Sequence, residues 1–460
     1  MLDFTSLPFR VERKEFTYLG ITVTKKHKNL FKENVSALLS QVKRSITHWT
    51  PLSMSLVGRI NSVKMTILPK FLYLFQALPI FSPTTFFNEL DSVISSYLWQ
   101  GKRPRLNKRH LQKSKIEGGF ALPNFHFYYW AANIRCLVFW YFYHNRSGCP
   151  DWVTMELHSD NSISLPAALC SPLSSSSFNS IPNPIVVHSL KIWGQFRKYF
   201  KLCDFSLLSP IASNHLFKPY IQDGGFVEWH RSGLTCFKYL FIANKLASFE
   251  QLANKYSLPP SHFFRYLQVR HFICSQTSGS SPPPEPTLLE TILQLNPTKR
   301  ELISLLYNKM LNLTHISSSK LKTLWEEDLN MTISDETWAS TLKHVNTTSL
   351  CARLCLIQFK VVHRAHFSKS RVSCIYPEFT PYCDRCKTAE ASLIHMYWSC
   401  PSLVQFWIDI CHTLSRILSV TLAPGPLIAL FGISGNEVLV PASKIRHYHF
   451  VRCWPGGQSY

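Results

Sequence analysis

The sequence has little negative charge and no unbroken apolar stretch of membrane length. Asp and Glu number 27 against 49 Lys and Arg, which gives a formal charge of +22. The best membrane candidate, residues 120–144, is broken by a proline, asparagines, a histidine and Arg135, whereas a spanning helix needs about 20 mostly apolar residues. Residues 1–10 contain Asp3 and Pro8 and do not form a secretory signal. We therefore expect an intracellular protein, in the nucleus, the cytoplasm or both, with no membrane partner.

Familiar catalytic signatures are also missing. The sequence contains no G-x-x-x-x-G-K-[ST] phosphate loop and no G-x-S-x-G elbow. No aspartate pair lies on a predicted turn between strands, which two-metal phosphoryl transfer would need. The acidic run at 326–328 lies on a predicted helix, where adjacent side chains diverge and cannot easily share a metal ion. We therefore predict no catalytic residues in this chain.

The 14 cysteines lie at scattered spacings, which favours reduced thiols over a disulfide scaffold and leaves room for one metal site. Cys383, Cys386, His395 and Cys400 have the spacing C-x2-C-x8-H-x4-C, and such a set can close a tetrahedral shell around zinc. Four protein ligands leave no open position, so the zinc would be structural. The alternative is that these residues are ordinary free thiols and a surface histidine. Cys374 and Cys411 lie nearby in the sequence and are competing candidate ligands.

If the metal binds, it would nucleate a very small core. Trp398, Phe406 and Trp407 lie close enough in sequence to the four ligands to pack in that core.

Positive charge is concentrated in the first third of the chain. Residues 1–150 hold 21 basic and 7 acidic groups, and a surplus this concentrated usually faces a polyanion, of which nucleic acid is the commonest. Within residues 101–116 there are seven cations and no acidic residue: Lys102, Arg103, Arg105, Lys108, Arg109, Lys113 and Lys115. Seven cations cannot be buried together, so we expect them to face water or phosphate. The alternative is a generally basic, solvated surface.

An aromatic stretch follows the basic run and contains Phe127, Tyr128, Tyr129, Trp130, Phe139, Trp140 and Tyr141. Aromatic rings beside cations can stack on unpaired bases while the cations hold the backbone. Helical spacing of aromatic residues is nevertheless more often a sign of core packing, and we favour that interpretation.

Periodicity predicts a mainly α fold. Residues 16–23 are predicted to form a short strand with Gly20 at its middle. Three amphipathic helices follow, from about Phe31 to Trp49, from Met54 to Leu68 with a stop at Pro69, and after Pro83. Residues 185–200 and 237–272 also appear helical in pattern. The expected architecture is a helical bundle with a short N-terminal β element, a helical C-terminal region and a small CCHC zinc module.

Several blocks of the sequence, in the expected order, resemble the C-terminal part of reverse transcriptase polyproteins of vertebrate non-LTR retrotransposons of the long-interspersed-element class. The blocks are 16–21 (FTYLGI), Trp49 with 57–61 (VGRIN) and 64–70 (KMTILPK), 97–99 (YLW) with the basic run, 118–123 (GGFALP), 261–272 (SHFFRYLQVRHF), 325–329 (WEEDL), and the region from Cys383 to Trp407 with His395, Trp398, Cys400 and Pro401.

The resemblance implies a role for each block. Tyr18, Leu19 and Gly20 would form a primer grip, Arg59 and Lys64 would contact the backbone of a template and primer duplex, and Lys102 to Lys115 would bind RNA or DNA phosphate. The zinc module would help to hold element RNA.

Composition and the resemblance together set the expected boundaries, for a chain whose length and 46% hydrophobic content allow two to four packed domains. They are 1–24 palm and primer-grip remnant, 25–100 helical thumb, 101–158 basic connector and aromatic helix, 159–184 Ser/Pro linker, 185–274 helical middle region, 275–286 Pro/Ser linker, 287–372 helical region, 373–412 zinc module and 413–460 tail. The two linkers are predicted because those stretches are rich in Ser and Pro.

The sequence departs from the family at the catalytic site. The family's aspartates lie on a [FY]-x-D-D turn upstream of the YLG element, and that turn is absent here. The expectation is a nucleic-acid-binding fragment that does not polymerise alone, with structural zinc, and with magnesium only in the intact parent enzyme. Two alternatives stay open: an RNA-directed DNA polymerase whose palm is supplied separately, and a non-functional remnant. The oligomeric state is left open.

Overall fold

The computed structural model describes residues 14–144, 146–157, 164–171, 181–202, 205–212, 214, 216–277, 286–314, 319–347, 349 and 351–433. The chain is mainly helical, as predicted. It divides into two compact units: unit 1 comprises Met1–Ser40, Lys70–Phe87 and Phe125–Leu313, and unit 2 comprises Gln41–Pro69, Asn88–Asn124 and Thr314–Tyr460. In the described part of the chain, no helix combines the length and the apolar character that crossing a membrane requires.

The N-terminal β element is a hairpin, so the prediction of a single strand over 16–23 was wrong. Strand β1 (Glu15–Tyr18) pairs antiparallel with β2 (Ile21–Thr24), and Leu19 and Gly20 form the two-residue turn. Both turn residues have positive φ, +47° for Leu19 and +78° for Gly20, as a type I′ turn requires. Glycine therefore serves the turn and does not lie at the middle of a strand.

The first helices follow the predicted periodicity with one exception. A π-helical turn (Phe31–Ser36) leads into α1 (Ala37–Trp49). Next come α2 (Leu56–Ser62), a second π-helical turn (Val63–Ile67), α3 (Leu68–Ala77) and α4 (Thr84–Trp99).

The predicted stop at Pro69 was wrong. The helix continues to Ala77 because the wider turn before Pro69 lets the Leu68 amide bond the Val63 carbonyl, so the missing proline N–H does not break the chain of hydrogen bonds.

Unit 1 is organised around one long helix, α6 (Phe125–Tyr143), which follows the short α5 (Lys108–Gln112) of unit 2. Helix α6 is mostly apolar, and five other helices of unit 1 contact it: α7 (Asp151–Leu157), α8 (Leu165–Cys170), α9 (Pro184–Tyr199), α14 (Leu288–Leu293) and α15 (Leu302–Leu313). Trp130 and Trp140 are almost completely buried. The core interpretation of the aromatic stretch is confirmed for these rings, and they present no platform for bases.

Part of the predicted 159–184 linker is not a spacer. All six residues of α8 are buried, because its apolar sequence LPAALC packs on α6 instead of facing water. The neighbouring residues 159–163 and 172–180 lie outside the described residues, as do 278–285 of the second predicted linker. Residues 275–277 of that linker belong to α13 (Phe263–Thr277).

The middle of unit 1 contains its own hydrophobic cluster, which we call the middle core. Its elements are α10 (Lys218–Gln222), α11 (Phe226–Arg231), β3 (Phe241–Ile242), β4 (Lys245–Leu246), α12 (Phe249–Tyr256) and α13. The prediction of continuous helix over 237–272 was therefore wrong in part, because Ala243 and Asn244, both at positive φ, make a tight turn between two short strands. Phe217, Phe226 and Trp229 are fully buried in this core.

Unit 2 gathers the C-terminal helices α16 (Ser319–Leu329), α17 (Asp335–Thr347), α18 (Ala352–Val362), α19 (Lys369–Ile375), α20 (Val404–Leu418) and α21 (Pro426–Phe431). The ring of Phe431 packs edge-on against Trp325 and Trp338. The indole N–H of Trp325 donates to the Val362 carbonyl at 3.0 Å. Three helices are thus tied together by two buried tryptophans and α21.

Candidate metal centre and cationic surface

The four residues predicted as metal ligands come together in unit 2, in what we call the Cys/His module (residues 381–411). A short hairpin carries Cys383 and Cys386: the Cys383 amide donates to the Ala389 carbonyl at 2.9 Å, and the Lys387 amide donates to the Cys383 carbonyl at 2.8 Å. His395 begins a π-helical turn, and Cys400 directly follows it.

The donor atoms are spaced for one metal ion. Cys383 Sγ lies 3.9 Å from Cys400 Sγ, and Cys386 Sγ lies 3.3 Å from His395 Nε2. All four donor atoms are within 4.8 Å of one another. Tetrahedral zinc, with bonds of about 2.3 Å to sulfur, places its sulfur ligands roughly 3.8 Å apart. The arrangement can therefore hold a metal ion and is compatible with zinc.

The electrostatics of the hairpin favour the metal-binding form of one cysteine. Hydrogen bonds from the Thr388 side chain, the amides of Thr388 and Ala389, and His395 lower the pKa of Cys386 from its ordinary value of 9.0 to about 5. The thiolate is the form that ligates metals. Burial acts in the opposite direction on Cys400 and raises its pKa, so metal binding would displace a proton there.

The core beneath the ligands is small, as predicted. Trp398, Phe406 and Trp407 pack in one cluster with Cys383 and Cys400, and the indole N–H of Trp407 donates to the Tyr397 carbonyl at 3.1 Å. From the sequence alone, Cys374 and Cys411 were competing candidate ligands. Neither belongs to the group of four, since Cys374 is exposed and Cys411 is buried outside it.

The seven cations of residues 101–116 differ in exposure. Five are exposed at the surface: Lys102, Arg103, Arg105, Arg109 and Lys115. Lys108 is half-buried and forms an ion pair with Asp91. Lys113 is buried, so the expectation that all seven face water or phosphate was wrong for this residue. Its backbone is clamped there: the Ala121 amide donates to the Lys113 carbonyl at 2.8 Å, and burial lowers the pKa of the Lys113 amine.

Residues 101–124, which we call the connector, are held in place by α17 and α18. Asn346 Nδ2 donates to the carbonyls of Lys115, at 3.1 Å, and Gly119, at 2.8 Å. His363 Nε2 donates to the Gly118 carbonyl at 3.0 Å. Burial lowers the pKa of His363 from 6.5 to about 4, so its imidazole is neutral at pH 7 and one ring nitrogen is free to accept.

The two glycines of the connector allow this close packing. Gly118 has φ +77°, and a β-carbon there would lie 2.9 Å from Leu342 Cδ2. A β-carbon on Gly119 would lie 2.2 Å from the Lys113 carbonyl oxygen. Only glycine fits at either position, so the loop that carries Lys115 is fixed by its sequence.

Further cations converge on the connector from distant parts of unit 2. Burial lowers the pKa of Lys64, and the charge of Lys115 lowers it further. Burial also lowers the pKa of Lys360 on α18, and the charge of Arg105 adds to that effect. We call these two pairs, Lys64 with Lys115 and Lys360 with Arg105, the cationic surface. Lys360 was not predicted as a site residue, and no local pattern around it could have indicated this neighbour.

Arg59 and Lys64 lie on the helical segment that precedes Pro69, but their environments differ. Arg59 Nη1 donates to the Tyr97 carbonyl at 3.3 Å, and burial lowers the pKa of the Arg59 guanidinium. The Arg59 side chain is therefore hydrogen-bonded to the backbone of α4, whereas Lys64 lies beside Lys115 in the cationic surface.

The predicted primer-grip residues lie at the tip of the N-terminal hairpin. Tyr18 and Leu19 are 63% and 72% exposed, and the Tyr73 hydroxyl donates to the Leu19 carbonyl at 2.6 Å. A bulky residue at positive φ is uncommon and strained. Asn34 fixes the base of the hairpin by accepting from the Thr22 amide and donating to the Thr22 carbonyl.

The acidic run at 326–328 is used for structure. Glu326 accepts from the Ile333 amide at 2.9 Å, and Asp328 pairs with Arg364. These carboxylates do not converge on a shared point.

No protein family model matches this chain.

Proposed function

We propose that this chain binds nucleic acid through the connector and the helices that surround it in unit 2. It would act as the C-terminal part of a non-LTR retrotransposon reverse transcriptase, which its sequence blocks resemble, and would not polymerise alone. The observation that carries the proposal is the cationic surface, where Lys64 and Lys360 are brought beside Lys115 and Arg105.

Gathering like charges is unfavourable unless a counter-charge is present. Burial is the larger cause of the lowered pKa of Lys64 and of Lys360, and the charge of the neighbouring cation lowers each pKa further. In the described part of unit 2, none of the four cations forms an ion pair with a carboxylate. A row of phosphates would supply the missing charge, and release of their counterions would drive association.

The test is binding to structured RNA, single-stranded DNA and duplex DNA across a salt series. The logarithm of the binding constant should fall linearly with the logarithm of salt concentration, by roughly 0.7 to 0.9 for each phosphate contacted. Replacing Lys64, Lys115 and Lys360 with Gln should weaken binding to every sequence and lower this slope by about two to three.

The matched control is Lys238, Lys245 and Lys255 to Gln. It removes the same charge from exposed positions of unit 1. Equal loss in both triple variants would mean that net charge alone acts, and binding that is absent or flat with salt would contradict the proposal.

We also propose that the metal of the Cys/His module is structural zinc. Cys and His ligands in a closed set of four favour zinc over magnesium or calcium, which prefer oxygen. Elemental analysis of the purified chain should give one zinc per molecule, and Cys386→Ser should abolish it. Cys374→Ser is the control because that thiol is exposed and outside the group. Retained zinc in Cys386→Ser would contradict the assignment.

The N-terminal hairpin favours a second, more specific function. Two exposed side chains on a turn whose strained backbone is held by the Tyr73 hydroxyl suit a contact with the end of a primer, in a polymerase whose aspartates come from a separate palm. Adding such a palm to this chain should restore primer extension, and Tyr18→Ala should reduce it while leaving the salt-dependent binding of the cationic surface intact. No extension with any palm would remove this candidate.

The remaining alternative is a remnant without function. Cooperative unfolding of the purified chain would count against it, because a decayed sequence is expected to lose specific packing.

A further inference from the structure

One aromatic ring lies within reach of the cationic surface. Phe367, in the loop between α18 and α19, is 40% exposed. The guanidinium carbon of Arg105 lies 4.4 Å from the centre of this ring, and that of Arg371 lies 5.7 Å from it. Arg105 comes from the connector, so the cluster joins two parts of unit 2 that are far apart in sequence.

The charge around Phe367 is not compensated by the protein. Lys360 and Arg105 are close enough for Arg105 to lower the pKa of Lys360. Arg371 donates to the Arg364 carbonyl at 3.2 Å, which uses one of its five N–H groups. No carboxylate pairs with Arg105, Lys360 or Arg371 among the residues that the structure describes. The Phe367 ring already lies under one guanidinium and is 40% exposed, and a ring so placed among cations without an acid is suited to an anion that carries a ring of its own.

Three more exposed rings follow in the same stretch of chain. They lie in the segment that leads to Cys383, the first ligand, and are Tyr376 (54% exposed), Phe379 (53%) and Tyr382 (52%). Tyr376 and Phe379 lie 6.1 Å apart at 69°, fixed by a turn in which the Phe379 amide donates to the Tyr376 carbonyl at 3.0 Å. Glu378 is the one exposed carboxylate between them.

We infer that Phe367, Tyr376, Phe379 and Tyr382 form a stacking platform for unpaired nucleobases, with Arg105, Lys360 and Arg371 holding the phosphates. This inference rests on the proposed nucleic-acid binding and adds a preference for single strands. In a duplex the base faces are already stacked, so only an unpaired strand can offer them to these rings. Trp130 and Trp140 of α6, by contrast, are buried in the core of unit 1.

The test compares single-stranded and duplex substrates of equal length, as both RNA and DNA. Phe367→Leu and the triple change of Tyr376, Phe379 and Tyr382 to Leu keep apolar bulk but remove the π face. Each should weaken single-strand binding by roughly tenfold or more and leave duplex binding within about twofold. Phe367→Trp should retain or strengthen single-strand binding, which a purely structural role would not predict.

A second readout reports stacking directly. A single strand that carries 2-aminopurine should lose fluorescence when the wild-type chain binds, and regain most of it with the triple Leu variant. The control replaces Phe81, Tyr239 and Phe264, exposed rings of unit 1, with Leu and should leave both measurements unchanged.

The outcomes separate this inference from the proposed function. If the wild-type chain binds no nucleic acid, both fail. If it binds with the expected salt dependence, but the Leu variants lower single-strand and duplex affinity equally or change neither, the platform alone is overturned. If the platform alone is overturned, these rings pack within the protein or contact a protein partner.

Discussion

The middle core and the Cys/His module are both small, but their buried residues differ in number and in chemistry. Among the described residues, the middle core buries 14 apolar side chains, including Phe217, Trp229 and Phe237. The core cluster of the Cys/His module has six buried residues; Cys383 and Cys400 are two of them, and Ala429 is contributed by α21. Apolar area is the main favourable term in folding. Burial of its own apolar side chains can therefore stabilise the middle core, whereas a core as small as that of the module would depend on the metal ion that we propose there.

The largest effect should come from removing the metal. Structural zinc contributes on the order of 10 kcal/mol to folding in small domains, so a strong chelator, or Cys400→Ser, should unfold the Cys/His module. Hydrogen exchange should show protection lost across residues 381–411 and kept across 205–273. Loss of protection in both regions would mean that the middle core is not independent of the module.

A second prediction perturbs the middle core and leaves the Cys/His module unchanged. Trp229→Ala should destabilise the middle core by about 3–5 kcal/mol, because it leaves a large cavity and removes the indole N–H that donates to His262 Nδ1 at 3.0 Å. Zinc affinity should be unchanged. Trp152→Ala, at a 41% exposed position, is the control and should change the free energy of unfolding by much less. Equal effects would contradict the burial argument.

A smaller effect is expected where a glycine makes room for an ion pair. Arg265 Nε lies 2.6 Å from Asp223 Oδ2, and a β-carbon on Gly225 would lie 2.2 Å from the Arg265 guanidinium. Gly225→Ala should therefore displace the flexible end of the Arg265 side chain and cost about 1 kcal/mol or less in denaturant unfolding, because the ion pair with Asp223 is partly exposed. Gly224→Ala is a close control, since nothing lies within 4 Å of its β-carbon position. A stable Gly225→Ala protein would show that Arg265 moves at no cost.

The smallest effect concerns pH. Burial, together with Arg265, lowers the pKa of His262 from its ordinary value of 6.5, while Glu228 and Asp223 oppose the shift. Above pH 6.5 neither the folded nor the unfolded state is protonated at this site. As the pH falls below 6.5 the unfolded chain binds a proton first, so the middle core loses stability until the folded pKa is passed.

His262→Asn cannot protonate and keeps an acceptor for Trp229, so it should flatten this part of the pH profile. Acid also weakens the Cys/His module, but by competing with the metal for its ligands. Added zinc should therefore rescue the module and not the middle core. A profile that is unchanged by His262→Asn would show that other groups carry the pH dependence.

Local sequence patterns predicted the elements whose buried residues recur at regular spacing. Helix α4 was predicted from the positions of Phe86, Leu90 and Ile94, all of which are buried, because one face of a helix recurs every 3.6 residues. The metal ligands were predicted for a similar reason, since zinc imposes its own spacing on the chain. Both patterns are complete within a few dozen residues.

Features that depend on distant partners were missed. The hairpin turn lacks the usual Asn-Gly or Asp-Gly pair, so Leu19 and Gly20 were placed inside a strand. The burial of Lys113 depends on Gly119 and α18, and the arrangement of Lys360 with Arg105 depends on folding of the connector. No short window of sequence contains both Arg105 and Lys360, which is why composition indicated a basic surface without indicating its shape.

The anchoring of the connector also sets a folding order. Its hydrogen bonds to Asn346 and His363 span 227 to 245 residues of sequence. Contacts between such distant residues form slowly, because a long loop must close before they contribute any stability. During synthesis, Lys115 emerges from the ribosome long before the helices that position it. The connector should therefore remain a loose, charged strand until α17 and α18 have been made, and the arrangement that gathers its cations should arise late in the life of the nascent chain.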